Sequence, residues 1–302
     1  MPTKNNINGW LIIDKPYHVG STTVVTRLKH CLSPSKIGHA GTLDPLATGV
    51  LPIALGTATR LIPYVMDGQK TYEFQITWGA ETSTDDTAGE VITTSDIRPI
   101  RAEIEAVLPE FVGTINQLPP AYSALKINGQ RAYDLARSGQ EVVLCPRPIR
   151  IDSLELISCT RDTADFRVSC GKGTYVRSLG RDIGRRIGCL GHITVLRRTK
   201  CGPFSLSDAM PMHMFDTPKQ PEDVSFLPLD TALEHMPKII LPYTEAHRLT
   251  QGQRLSAKQW QHCLSRPIQE EDVVCLYSDG KLLGLVKIDK HTIHPYRIFS
   301  QT

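Results

Sequence analysis

The apolar residues of this chain repeat with two different periods. Tyr72, Phe74, Ile76 and Trp78 recur every second residue, which predicts a half-buried strand over 70–79. Trp10, Leu11, Ile12 and Ile13 form a shorter strand that stops at Asp14-Lys15-Pro16, and further strands are predicted at 149–159, 164–170 and 193–196. Helical spacing links Val24, Val25, Leu28 and Leu32 behind a capping Ser21, and Ile104, Val107, Leu108 and Phe111. It also links Val176, Leu179, Ile183 and Ile187, with Thr174 as cap and Gly188 as terminator. Shorter helices are expected at 57–66 and at 131–138, the second closed by Gly139.

The periodicity fades between 211 and 228, where Pro, Met, Asp and Gln dominate, and this stretch reads as a connection. Beyond it, 244–249 is expected to be helical, and the apolar runs 273–277 and 281–288 flank Asp279-Gly280, a strong hairpin signal. The expected organisation is a large domain over 1–230 and a small β-rich domain over 235–302.

Residues 38–56 break both periods. Their only acid is Asp44, followed by Pro45 and set among Gly38, Gly41 and Gly49. Proline disfavours helical backbone at the residue before it, so the carboxylate belongs on an extended or turning segment. Val50, Leu51, Ile53, Ala54 and Leu55 then read as a buried strand, which Pro52 assigns to a sheet edge or a bulge. An Asp-Pro turn would explain the acid without chemistry, just as a core ring would explain Tyr72 and a polar turn would explain Asp85 and Asp86.

Composition narrows the function. A chain of 302 residues that is 40% hydrophobic can bury a sizeable core. The N-terminus lacks a basic region followed by an apolar core, and no apolar run approaches the roughly 20 residues of a membrane span, so a cytoplasmic protein is expected. Eight scattered cysteines form no Cys-x-x-Cys pair. The groupings Cys189 with His192, and His30 and Cys31 with His39, lack the spacings of zinc modules, so no metal is expected. Net charge is only +3, but residues 171–200 carry eight cations against Asp182 alone, which suggests a polyanionic partner or a solvated helix face.

Several motifs together give the chain a family likeness. Gly38-His39-Ala40-Gly41-Thr42-Leu43-Asp44-Pro45-Leu46-Ala47-Thr48-Gly49 is the most specific. It is joined by Asp14-Lys15-Pro16, Ser123-Ala124-Leu125-Lys126 with Gly129 and Arg131, Gly173-Thr174-Tyr175-Val176-Arg177, Leu196-Arg197-Arg198-Thr199 and Gly202-Pro203-Phe204. In these, over nearly its whole length, the chain resembles the TruB-type tRNA pseudouridine-55 synthases. The resemblance implies an α+β fold, with a mixed, largely antiparallel sheet followed by a small PUA-like RNA-binding barrel.

It also implies isomerisation of uridine 55 in the TΨC loop of tRNA after base flipping, with Asp44 as nucleophile and no cofactor. Arg177 matches the arginine that pairs with the acid, Tyr72 the ring that stacks on the flipped uracil, and Tyr175 a second active-site tyrosine. Leu196 matches an apolar wall, His39 the residue that fills the vacated space, Asp86 an acid that reads a neighbouring nucleotide, and Lys15 a basic residue that supports the site. Two positions depart from the family pattern: His18 stands where glycine is usual, and Ser83 where aspartate is usual. The expected partner is tRNA, through its T arm and acceptor end, with the protein a monomer needing no protein partner. The competing readings are a guide-RNA-dependent catalytic subunit and a non-catalytic RNA-binding or tRNA-folding chaperone.

Overall fold

The strand alternation of the sequence is realised as one ten-stranded sheet in the first of two units, Met1–Leu227 and Pro228–Thr302. The computed structural model describes residues 5–123, 126–127, 130–131, 144–265, 272–289 and 291–299. In chain order the strands of the first unit are β1 (Gly9–Lys15), β2 (Ile37–His39), β3 (Thr48–Leu55), β4 (Lys70–Trp78), β5 (Ala80–Thr82), β6 (Val91–Thr94) and β7 (Gly113–Gln117). There follow β8 (Lys126–Ile127), β9 (Gln130–Arg131), β10 (Arg147–Cys159), β11 (Thr163–Cys170), β12 (Gly191–Cys201), β13 (Phe204–Ser205) and β14 (Ala209–Pro211).

The sheet runs β14-β1-β3-β12-β4-β11-β10-β7, with β2 added to β3 and β13 to β12. Only β1 with β14 and β3 with β12 are parallel; every other pairing in it is antiparallel. The fold is therefore α+β with a mixed, largely antiparallel sheet, as the resemblance implied.

Two of the apolar clusters among the described residues of this unit bear on the site. Phe74, Ile76, Trp78, Phe166 and Val168 pack with Val176, Leu179 and Ile183 of the helix Val176–Ile187. Leu11, Ile13, Leu51 and Ile53 pack with Val24, Leu28 and Leu32 of the helix Ser21–Leu32. Tyr72 and Leu196 touch both clusters and so mark the seam between them.

Several local expectations are corrected. Pro52 lies on an interior strand, opposite Ile12 of β1. Interior proline is tolerated because the other side of β3 is shared: β12 pairs only with Thr48 and Gly49, β2 pairs with Ile53 to Leu55, and Pro52 falls between them. The 57–66 helix divides into a 3-10 turn, Gly56–Leu61, and a short helix, Ile62–Asp67, with Pro63 in its first turn. Thr174 does not cap its helix; its hydroxyl donates to the Gly171 carbonyl, and Tyr175 occupies the cap position. Ser21 lies inside its helix, behind Gly20, and its hydroxyl is used elsewhere. Arg131, the expected first residue of the 131–138 helix, instead ends β9; residues 132–138, with Ala124, Leu125 and Gly129 of the Ser123 motif, lie outside the described residues.

The second unit holds a curled five-stranded sheet, β15 (Lys238–Ile240), β16 (Leu255–Ser256), β17 (Val273–Ser278), β18 (Lys281–Ile288) and β19 (Thr292–Ile298), in the order β15-β17-β18-β19-β16. Asp279 and Gly280 both take positive φ, 49° and 73°, as a tight hairpin with right-handed strand twist requires. The helix Tyr243–Thr250 seats Ala246 and Leu249 on this sheet. Among the described residues no helix is long and apolar enough to cross a membrane.

Candidate active site

Asp44 follows β2 and precedes β3, at the start of a turn in which the Ala47 N–H donates to the Asp44 carbonyl at 3.0 Å. Pro45 occupies the second position of that turn, where its fixed φ fits. The turn reading and the chemical reading are thus compatible, because the turn presents the acid. The side chain remains 40% exposed.

Three groups hold the loop around it. The Ser21 hydroxyl donates to the Leu43 carbonyl at 2.9 Å and accepts the Leu43 N–H at 2.8 Å. Lys15, buried at the end of β1, donates through Nζ to the carbonyls of Val19 (2.7 Å), Pro16 (3.0 Å) and Pro45 (3.3 Å). Burial lowers its pKa to about 8, against the pull of the Asp44 charge, with Arg198 adding to the fall. His18 adopts φ 62°, the left-handed backbone that glycine would supply, so the departure from the family pattern leaves the Lys15 contacts to this turn intact. The third group is Arg198, which donates to Val50 O at 2.8 Å and to Gly41 O at 3.1 Å.

Facing the loop is Arg177, the second residue of its helix. Its Nε lies 2.9 Å from Asp44 Oδ2 and 3.7 Å from Asp86 Oδ2. Its two terminal nitrogens donate to the carbonyls of Thr84 (3.0 Å) and Tyr122 (2.9 Å), which fixes the plane of the fork. Asp86 is held in turn, accepting from the Thr84 hydroxyl and from the Ala88 N–H at 3.0 Å. Asp44, Asp86, Arg177 and Leu196 line one cleft, together with Ile193 and Thr87.

The remaining expected residues surround that cleft at different depths. Tyr72 is half-buried and stands opposite Arg198 across β4 and β12; burial pushes its phenol up to about 12 while Arg198 opposes the rise. Tyr175 is likewise raised by burial, drawn back by the Ser123 hydroxyl, and raised by the charge of Asp44. Its backbone is pinned by Gln117 of β7, which accepts the Tyr175 N–H at 2.8 Å and donates to the Tyr175 carbonyl at 3.1 Å. His39 lies on β2, outside the cleft lining, and burial with Arg198 lowers its pKa.

Sequence reasoning missed Asp85, Gln117, Ser21 and Arg198. Asp85, with φ 62°, pairs with Arg181 at 2.9 Å and accepts the Ile193 N–H through its carbonyl. Burial raises its carboxyl to about 6 in spite of Arg181 and Arg177. Arg177, Arg181 and Arg185 are spaced one turn apart, and they meet Asp44, Asp85 and Glu81 respectively.

The basic patch over 171–200 is therefore not an open cationic face. Lys172 pairs with Asp67, Arg186 with Glu110 and Arg197 with Asp14, each at 2.7–2.8 Å. Ser83, the second departure, is exposed, and its N–H donates to the Glu90 carbonyl. Among the described residues no three His, Cys, Asp or Glu side chains gather where a metal could be held.

Residues 29–176 match the N-terminal domain of the TruB family of pseudouridylate synthases, and 177–244 match the tRNA pseudouridylate synthase B C-terminal domain. The class so defined is that of the pseudouridine synthases. A tRNA pseudouridine synthase B of Paracoccus denitrificans is 51% identical over 82% of this chain and 83% of its own length. Its counterpart from Rhizobium etli is 44% identical over 99% of this chain and 98% of its own. The chain belongs to the TruB family. Its fold is shared with a protein in a solved H/ACA ribonucleoprotein bound to a substrate RNA containing 2'-deoxyuridine, with a TM-score of 0.73 at 23% identity over 97% of this chain and 85% of that one.

Proposed function

We propose that this protein is a tRNA pseudouridine synthase that isomerises uridine 55 in the TΨC loop, with Asp44 as the nucleophile. The observation that carries the reading is the half-exposed Asp44 carboxylate, 2.9 Å from an arginine whose two terminal nitrogens each donate to a backbone carbonyl. A fixed guanidinium beside a carboxylate aims it without reorganisation during reaction. The reaction breaks the bond from uracil N1 to ribose C1′ and makes one from C5 to C1′; C5 loses a proton and N1 gains one, so no atom is added or lost. Attack by Asp44 at C1′ or at the uracil ring gives a covalent intermediate in either case. No redox carrier or metal is demanded by that balance.

The uridine must leave its stack to meet Asp44, at a cost of roughly a few kcal/mol. In this reading Tyr72 stacks on the flipped base, Leu196 walls the pocket, and Tyr175 stands near the C5 proton. His39 fills the space left in the RNA, Asp86 reads a neighbouring nucleotide, and Lys15 stiffens the loop from beneath. The first unit is the catalytic domain and the second a PUA-like module that meets the acceptor end of tRNA. The enzyme acts in the cytoplasm as a monomer, without guide RNA or protein partner.

The test is Asp44→Asn assayed on a single tRNA transcript by pseudouridine-specific chemical modification and primer extension. Product is expected to vanish while RNA binding stays close to that of the wild type. Full activity in the variant would sink the assignment.

A further inference from the structure

Arg198 is only 1% exposed, yet among the described residues it forms no ion pair. The acceptors described for it are the carbonyls of Val50, Gly41 and, at 3.5 Å, Thr42, with the Tyr72 phenol also within its influence. A buried cation facing only dipoles is costly, and a well-packed apolar side chain would usually be more stable in its place. Its location explains what it does. β12 pairs in parallel with β3 only at Arg197 with Thr48 and Arg198 with Gly49, and then the strands part. The guanidinium takes over at that point, supplying a donor to Val50 O and reaching back to Gly41 O across the base of the Asp44 loop.

Gly49 is forced into this arrangement. Its φ is +100°, and a Cβ there would lie 2.2 Å from the Arg198 carbonyl. The loop is thus clamped at both ends by one residue, through its backbone at Gly49 and through its planar fork at Gly41 and Val50.

We propose that Arg198 is a positioning residue of this enzyme, whose fork sets the shape of the 41–50 loop and so holds the Asp44 carboxylate against Arg177. The inference rests on the reading of Asp44 as nucleophile. It is distinct from the roles given to the cleft residues, because Arg198 acts through the loop backbone and does not line the cleft. Arginine suits this task and lysine does not: a rigid fork reaches two carbonyls at fixed angles, whereas an ammonium is a single flexible point.

The experiment compares Arg198→Lys, Arg198→Met and Asp44→Asn in the full-length protein, on one tRNA transcript. Three quantities are read: the single-turnover rate at saturating enzyme, the dissociation constant for tRNA, and the melting temperature. Arg198→Lys keeps charge and length but not the fork, and its rate should fall by about 100-fold, the scale of an ångström-sized misplacement, with affinity and melting temperature near wild type. Arg198→Met should fall further and melt earlier; if it does not fold, the lysine variant decides alone.

A lysine variant with a rate within threefold of wild type, beside an inactive Asp44→Asn, would overturn the positioning role. So would a rate loss matched by an equal loss of RNA binding or by a collapsed melting temperature, since that is what a structural residue gives. An active Asp44→Asn would instead overturn the nucleophile reading itself.

Discussion

The two sides of the cleft are held by different physics. On one side the turn Glu81 to Asp86 meets the helix Val176–Ile187 through charged side chains, Glu81 with Arg185, Asp85 with Arg181, and Asp86 near Arg177. On the other side the Asp44 loop is held through its backbone, by Ser21 at Leu43, Lys15 at Pro45 and Arg198 at Gly41 and Val50. Opposed charges set a local balance that changes with protonation, whereas the Ser21 hydroxyl and the Arg198 fork set a shape that does not, and Lys15, lowered to about 8, is charged throughout the acidic range. The difference places the adjustable electrostatics on the side of Arg177 and the fixed geometry on the side of the acid.

That contrast can be broken most directly at Gly49. Gly49→Ala combines strained positive φ with a clash against the Arg198 backbone, and it should cost about 3 kcal/mol in denaturant unfolding. A loss below about 1 kcal/mol would mean that the loop yields and its geometry is not fixed. Ser21→Ala comes next. It strips both hydrogen bonds from the buried Leu43 backbone beside Asp44, and a loss of about 1–3 kcal/mol is expected, together with slower turnover.

A third test, read from pH dependence, sharpens the contrast. Burial raises the Asp85 carboxyl from 3.8 to about 6, so between those values the folded state binds the proton more tightly than the unfolded chain. Stability from this group is complete below about pH 4 and lost as pH rises through about 6. The melting temperature of wild type relative to Asp85→Asn should therefore fall between pH 4 and 6 and level off above. The same comparison for Ser21→Ala should be flat across that window, because no titrating group is removed.

What the sequence made legible was local. The alternation over Tyr72, Phe74, Ile76 and Trp78 became β4 with Lys70–Trp78 as its bounds, Asp279-Gly280 became a hairpin, and Gly188 ended its helix with φ 88°. The Asp44 motif was legible as a unit because its residues are contiguous. What escaped was pairing at a distance. The acids that neutralise the basic patch, Asp14, Asp67, Glu81, Asp85 and Glu110, lie far from it in sequence, and charge counting in a window cannot find them. Ser21 has the composition of a helix cap, and only the fold reveals that Leu43 takes its hydroxyl. Pro52 argued against an interior strand because nothing local says that β3 changes partner midway.

The split of β3 between β2 and β12 also orders events in time. Residues 9 to 55 can pair among themselves as soon as they are made, since β1, β2 and β3 are near neighbours along the chain. The clamp on Gly41 and Val50 comes from residue 198, and loops closed by so distant a partner form late because their ends must first be brought together. The acid is thus synthesised early and shaped late. A growing or truncated chain that stops short of β12 would carry Asp44 with no means of aiming it, so the competence to react arrives only with most of the first unit already in place.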